Sequence, residues 1–182
     1  MNLLAFIEAA LKLGIPMVVL SWIIFAWLYG GGGLAREADR KTINASIKKM
    51  RKSFKKTSGR GGADYLASKW FWFGGGFYGL AGLWTFAVVE AGEIVGLIMN
   101  PSVVANSLDD GLLAAAIDLL VNQITNLLTA FLWFGYWADE GVLVWLLVAY
   151  AGYWVGVELA RRGEEPQIQA LLRRLRALIP FP

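Results

Sequence analysis

The sequence contains no cysteine and no histidine. Without cysteine, the chain can form no disulfide, no thiolate nucleophile and no cysteine-ligated iron–sulfur cluster. Zinc sites built from Cys and His, haem held by His, and histidine general bases are excluded as well. A metal would have to be held by carboxylates or other oxygen ligands, which suit hard cations. We therefore expect no metal site and no cofactor.

Motifs that mark enzymes are also missing. The sequence has no G-x-S-x-G, no phosphate-binding loop and no paired-aspartate motif typical of intramembrane proteases. The GGG at 74–76 lies in an apolar stretch flanked by aromatic residues, which favours close helix packing over phosphate binding. The sequence therefore predicts a protein that is not an enzyme.

Charge is scarce, and apolar residues come in blocks. Only 17% of residues are charged and 57% are hydrophobic, whereas about a quarter of a typical soluble domain is charged. Four apolar blocks stand out, at 13–29, 70–99, 112–137 and 142–160. No strand-like alternation accompanies them, so the sequence predicts an all-α integral membrane protein with about four transmembrane helices. A basic amphipathic helix and a short C-terminal amphipathic helix complete the prediction.

These blocks divide the chain into six segments. They are an amphipathic N-terminus with the first span (1–33), a basic loop (34–69), a second span (70–99), a polar loop (100–111), a hairpin of third and fourth spans (112–161) and a basic tail (162–182). Pro16 is expected to kink the first span or to mark where its membrane part begins. The second span is expected to be one helix of thirty residues.

The loop at 34–69 carries most of the positive charge. Eleven of the seventeen Lys and Arg residues lie there, against three acids. Apolar residues recur on one helical stripe, namely Ile43, Ile47, Met50 and Phe54. The other faces carry Lys48, Lys49, Arg51, Lys52, Lys55 and Lys56. This pattern predicts a helix that contacts anionic lipids at the membrane surface. The alternatives are a solvated charged helix and a helix that binds an acidic partner protein, and nucleic acid is not expected as a partner.

The basic residues leave the topology open. A basic loop between spans is expected to face the cytoplasm. Four spans would place this loop on the opposite side from the C-terminal segment that begins at Arg161, which carries five arginines. Three spans would place both on the cytoplasmic side. The third block is the weakest span because Asp118, Asn122, Gln123 and Asn126 interrupt its apolar sequence.

Polar residues within the apolar blocks are the candidate functional sites. Small residues and two carboxylates share one face of the second block and are expected to form a buried packing seam, with a second small-residue pair on the fourth block: Gly75, Gly79, Gly82, Glu90, Glu93, Gly152 and Gly156. A polar stripe on the third block is expected to face other helices or water: Asp118, Asn122, Thr125, Asn126 and Thr129.

Two functions fit these patterns. The first is a non-enzymatic, multi-pass inner-membrane subunit that packs against itself or other subunits in a larger membrane complex, with a structural, accessory or assembly role. The second is a small ion or solute transporter or channel component, which would use Glu90, Glu93 and Asp118 as exchangeable ligands. The packing interpretation requires the polar residues to hold helices together, whereas the transport interpretation requires them to line one path.

Overall fold

The computed structural model describes residues 3–54, 68–100, 111–137 and 141–163, apart from the side chains of 53 and 54. Within these ranges all regular structure is helical. The helices are α1 (Leu3–Gly30, with a π-helical turn at Ala10–Gly14), α2 (Arg40–Phe54), α3 (Gly76–Met99), α4 (Leu112–Phe131), α5 (Trp133–Trp137) and α6 (Val142–Arg162).

Four of these helices, α1, α3, α4 and α6, are long and apolar enough to cross a membrane. The predicted class, an all-α multi-pass membrane protein, is therefore confirmed. The basic amphipathic helix is present as α2. The predicted C-terminal amphipathic helix and most of the polar loop at 100–111 lie outside the described residues.

Pro16 produces a π turn in α1 rather than ending the helix. Proline has no N–H to donate to the carbonyl four residues earlier, which here belongs to Lys12. The backbone N–H of Ile15 bonds to the carbonyl of Ala10, five residues back, as in a π-helix. The Lys12 carbonyl accepts a hydrogen bond from the Trp84 indole N–H of α3 at 2.9 Å. The first apolar helix therefore runs without interruption from Leu3.

The helices α1 and α6 pack closely and run in the same direction. A Cβ atom added at Gly152 of α6 would lie 2.5 Å from the backbone oxygen of Gly14 in α1. One turn later, a Cβ at Gly156 would overlap the Ser21 hydroxyl oxygen. The residue numbers at successive contacts increase along both helices, so the helices are parallel and their C-terminal ends lie at one end of the bundle. We call this end, with α2, the proximal end and the opposite end the distal end.

The aromatic stretch at 70–73 folds back against the start of α3. The backbone has positive φ at three successive glycines, with values of 112° at Gly74, 71° at Gly75 and 60° at Gly76. Only glycine adopts such a run without steric strain. The Trp70 indole N–H donates to the Gly76 carbonyl at 2.9 Å and fixes the turn. The prediction of one helix over 70–99 is therefore wrong, because α3 begins only at Gly76.

α3 runs toward the distal end, and α4 returns beside it. Ala130 of α4 lies against Gly82 of α3, where an added Cβ would be 3.0 Å from the Ala130 carbonyl oxygen. The chain then turns at Leu132 into the short helix α5. The Trp137 indole N–H at the end of α5 donates to the Thr85 hydroxyl at 2.8 Å. The ring of Trp137 stacks on Trp145 of α6, with centroids 5.6 Å apart.

Replacing Gly152 by alanine should separate α1 from α6. The new methyl group would meet the Gly14 backbone, which cannot rotate away as a side chain can. Overpacking of this kind costs about 1–3 kcal/mol, so we expect Gly152→Ala to lower the free energy of unfolding in detergent by that amount. The control is Gly96→Ala on α3, where the described structure has no atom of another element within 4 Å of an added Cβ. Equal losses in the two variants would contradict the close contact.

Candidate functional site

A polar cluster joins the inner faces of α3 and α4. The carboxylate of Glu90 accepts one hydrogen bond at each oxygen, from the Asn126 amide at 3.1 Å and from the Gln123 amide at 3.3 Å. Asn126 is 4% exposed, and Glu90 is half-buried. Gln123 and Asn126 are three residues apart and so share one face of α4. This Glu90 cluster satisfies a carboxylate with two neutral donors.

The Glu90 cluster can form because small residues let the backbones of α3 and α4 approach each other closely. Gly82 of α3 packs on the backbone of Ala130 in α4, two helical turns from Glu90. Antiparallel helices that touch there bring Glu90 level with Gln123, and the Glu90 side chain also reaches Asn126, which lies about one turn closer to Ala130. Polar groups within hydrocarbon must find partners, and each such interhelical bond is worth about 0.6 kcal/mol on average. The cluster thus fixes the register of α3 against α4.

The predicted packing seam is divided among three different contacts. Gly82 and Glu90 meet α4, as described above. Gly79 instead packs against the preceding stretch at 70–73, since an added Cβ would lie 2.9 Å from the Trp70 carbonyl oxygen. Gly75 lies in the turn before α3, with an added Cβ 3.0 Å from the side chain of Ile47 in α2. Glu93 is half-buried one turn beyond Glu90.

The other predicted glycine pair lies on α6. Gly152 and Gly156 are both buried and form the contact with α1. The Ser21 hydroxyl opposite them donates to the Met17 carbonyl at 2.5 Å, so its polar group is satisfied within α1. The sequence pattern predicted a packing face at these glycines but did not identify Gly14 or Ser21 as their partners. A glycine and a serine seven residues apart on an apolar helix were the available signal.

The predicted polar stripe on α4 is split between two faces. Asn126 is buried and Thr129 half-buried, whereas Asp118, Asn122 and Thr125 are exposed. The Thr125 hydroxyl donates to the Val121 carbonyl of its own helix at 2.9 Å. In the described part of the chain, no hydrogen bond reaches the side chain of Asp118 or Asn122. We call Asp118, Asn122 and Thr125 the outward stripe.

Glu90 and Asp118 therefore do not line one path within the described structure. Glu90 bonds to the inner face of α4, whereas Asp118 lies on its exposed face. No group of three or more Asp and Glu residues able to hold a metal ion occurs among the described residues. Gln123, which does reach Glu90, was not among the predicted site residues. Its spacing from Asn126 was the only signal, and choosing between two adjacent faces of α4 requires knowing where α3 lies.

The basic helix α2 uses its apolar stripe to bind the bundle. Ile43 and Ile47 are buried at 0% and 4% exposure in the same hydrophobic core as Trp70. Met50 packs partly against that core, and the Phe54 side chain lies outside the described residues. The bundle therefore occupies this stripe, which leaves the charged faces of α2 for any contact with a lipid surface. An isoleucine already buried in the protein cannot also insert into a membrane.

The charged side of α2 remains accessible. Lys48, Lys49 and Lys52 are exposed and Arg51 is half-buried. The predicted lipid contacts Lys55 and Lys56 lie outside the described residues. At the start of α2, the Arg40 guanidinium lies 4.5 Å from the ring centroid of Trp154, a cation–π distance that ties α2 to α6. No pattern in the sequence predicted this contact.

Asp39 caps the N-terminus of α2. Its carboxylate accepts a hydrogen bond from the backbone N–H of Thr42 at 2.8 Å. Hydrogen bonds from the Thr42 side chain and backbone hold the pKa of Asp39 below its ordinary value. A carboxylate whose folded pKa is lowered stabilises the fold above its unfolded pKa, and this stabilisation is lost as the pH falls through the folded pKa.

Replacing Asp39 by alanine should loosen α2 and with it the basic surface. We expect faster hydrogen exchange of the α2 amides at neutral pH in Asp39→Ala, with little change in Asp39→Asn, which keeps an acceptor. On acidification, protection of these amides should fall in the wild type but not in Asp39→Asn, after correction for intrinsic exchange. The amides of α6 serve as the internal control. Unchanged protection of α2 in Asp39→Ala would contradict the capping role.

The Glu90 cluster can be tested with a double-mutant cycle. The pair Glu90→Ala and Asn126→Ala should show a coupling of about 0.6–1.7 kcal/mol in the free energy of unfolding in micelles. The matched pair Glu90→Ala and Asn122→Ala should show none, because Asn122 has the same chemistry but faces outward. Coupling to Asn122 as large as that to Asn126 would mean that α4 is rotated relative to the described structure.

Comparison with known proteins provides no relative from which a function could be carried over. No family model matches the chain, and neither a curated protein nor a solved structure is significantly similar to it. A functional proposal must therefore rest on the chain's own residues, above all on the Glu90 cluster and the outward stripe.

Proposed function

We propose that the protein is a non-enzymatic, multi-pass inner-membrane subunit that packs within a larger membrane assembly. The observation that carries this proposal is the outward stripe on α4. This helix is apolar enough to lie in a membrane, yet Asp118, Asn122 and Thr125 are exposed on it. In hydrocarbon, side chains that can hydrogen-bond need protein or water partners. A neighbouring subunit that covers the stripe supplies them.

The distal half of α3 supports the same proposal. Gly92 and Gly96 form a small-residue pair that faces open space, with no atom of the described structure within 4 Å of an added Cβ. The equally spaced pair Gly152 and Gly156 on α6 lets α1 approach to backbone contact. A partner helix that packs on the distal part of α3 would use the same geometry.

The exposed lysines of α2 give the assembly its second contact, with the membrane surface. The apolar stripe of α2 is occupied by the bundle, so any lipid contact at Lys48, Lys49 and Lys52 is electrostatic. Each Lys or Arg near an anionic leaflet contributes about 1 kcal/mol, screened within a Debye length of about 8–10 Å. Anionic lipid is thus proposed as a partner of the proximal end.

The carboxylate transport pathway receives less support. Both oxygens of Glu90 are already engaged by neutral amides of α4. Asp118 lies on a neighbouring, exposed face of that helix, so one continuous path would need a second protein surface to join them. The packing role explains both the polar residues that bond to Glu90 and those of the outward stripe, because each needs only a hydrogen-bond partner on a neighbouring helix.

A photocrosslinking amino acid placed at Asn122 should form an adduct with a protein subunit in native membranes. The control position is Leu120, which is 63% exposed but points away from the outward stripe on the same helix. We expect a defined protein adduct from position 122 and only lipid adducts from position 120. The same complex should survive gentle solubilisation and weaken in Asn122→Leu. A strictly monomeric protein with no protein adduct at position 122 would refute the proposal.

A further inference from the structure

Two basic segments that are far apart in sequence meet at the proximal end. Arg36, in the loop after α1, donates to the Gly163 carbonyl at 2.7 Å. In return, Arg161 at the end of α6 donates to the Ala38 carbonyl at 3.0 Å. The end of α1 and the end of α6 therefore lie on the same side of the molecule. Any membrane topology has to return the chain to that side after α3, α4, α5 and α6.

α4 does not reach the proximal end. Its last residues meet α3 at Gly82, which is six residues, or about 9 Å at 1.5 Å per residue, from the proximal start of α3 at Gly76. The Tyr78 hydroxyl donates to the Phe131 carbonyl at this point. Beyond Leu132 the chain turns back, since Trp133 packs edge-on against Phe77 and Trp137 bonds to Thr85 further toward the distal end.

The backbone at the Leu132 reversal is hydrogen-bonded within the protein, and the exposed side chains of Leu132 and Phe134 are apolar. In hydrocarbon, backbone polar groups must find their hydrogen-bond partners within the protein. The N–H of Leu132 bonds to the Leu128 carbonyl at 2.9 Å, and the N–H of Gly135 bonds to the Leu132 carbonyl at 2.8 Å. The freed carbonyl of Phe131 is capped by Tyr78, and the Trp133 side chain next to the turn is 1% exposed.

We propose that the chain crosses the membrane three times, through α1, α3 and α6, and that α4 and α5 form a re-entrant hairpin. This hairpin enters from the distal side, turns at Leu132 within the membrane and leaves on the side that it entered. α4 has the length and hydropathy of a span, but its contacts along α3 and the return of α5 bring the chain back before α6 begins. The parallel packing of α1 and α6 requires this odd number of crossings.

The charge distribution supports the same topology independently. No Lys or Arg occurs between Lys69 and Arg161, so the loops at 100–111 and 138–141 carry only acidic charges. With three crossings both acidic loops lie on the distal side. All Lys and Arg residues except Lys12 then lie on the proximal side, which the positive-inside rule places in the cytoplasm. Four crossings would move the five arginines from Arg161 onward to the outside.

The absence of native cysteine allows a direct test by single-cysteine labelling in the full-length protein. Four variants are treated with a membrane-impermeant maleimide, from outside in intact cells and from the cytoplasmic face in inverted vesicles: Glu37→Cys, Asn100→Cys, Asp139→Cys and Gly163→Cys. We expect Asn100→Cys and Asp139→Cys to react from outside, and Glu37→Cys and Gly163→Cys to react only from the cytoplasmic face. Two results together would establish four crossings and overturn the proposal. Asp139→Cys would be labelled from the same face as Glu37→Cys, and Gly163→Cys from the same face as Asn100→Cys.

A reporter of sidedness fused to the C-terminus decides the case in which Asp139→Cys is inaccessible to reagent. The re-entrant topology requires this reporter to lie on the same side as a tag inserted at Ser58. Opposite sides would refute the three-crossing topology whatever the labelling at 139. Glu140→Cys provides a neighbouring position that should react from the same face as Asn100→Cys. None of these outcomes depends on whether a partner subunit covers the outward stripe.

Discussion

The backbone contact between α1 and α6 is the interaction on which the arrangement of the bundle depends. Gly152 and Gly156 bring α6 to the backbone of α1 near Gly14 and Ser21, and that approach holds the two helices parallel. Their C-terminal ends are therefore together, and there Arg36 and Arg161 exchange hydrogen bonds with each other's backbone segments. The basic segments around Arg36 and Arg161 meet because the glycines of α6 let this helix approach the backbone of α1.

Aromatic side chains satisfy backbone carbonyls at three places in the described structure where the helices depart from regular geometry. Trp84 donates to the carbonyl that Pro16 leaves without a partner, Trp70 donates to Gly76 at the glycine turn, and Tyr78 donates to Phe131 at the reversal. In lipid no water can replace these donors, and an unsatisfied carbonyl would cost several kcal/mol. These aromatic donors satisfy backbone carbonyls at places where the helices are irregular.

The polar residues of α4 serve two sides of one helix. Asn126 and Gln123 turn inward to Glu90 and fix the register against α3. Asp118 and Asn122 turn outward, where the described chain offers them no partner. A single helix that carries both sets is suited to a position between its own bundle and a neighbouring subunit. The proposed function and the proposed topology both place α4 at this boundary, beside the part of α3 that faces open space.

The sequence by itself determined the helical membrane class, the basic helix at α2 and the glycines that let α6 approach a neighbour, because block hydropathy and residue size act locally. The sequence also indicated that the third block was the weakest span and that two basic segments both favoured the cytoplasmic side of the membrane. Tertiary structure alone decided that Ile43 and Ile47 bind the bundle, that Gln123 rather than Asp118 meets the inner carboxylate, and that α4 turns back at Leu132. Those outcomes depend on which helix lies next to which, and adjacent faces of an apolar helix differ too little in sequence to choose a neighbour before the helices pack.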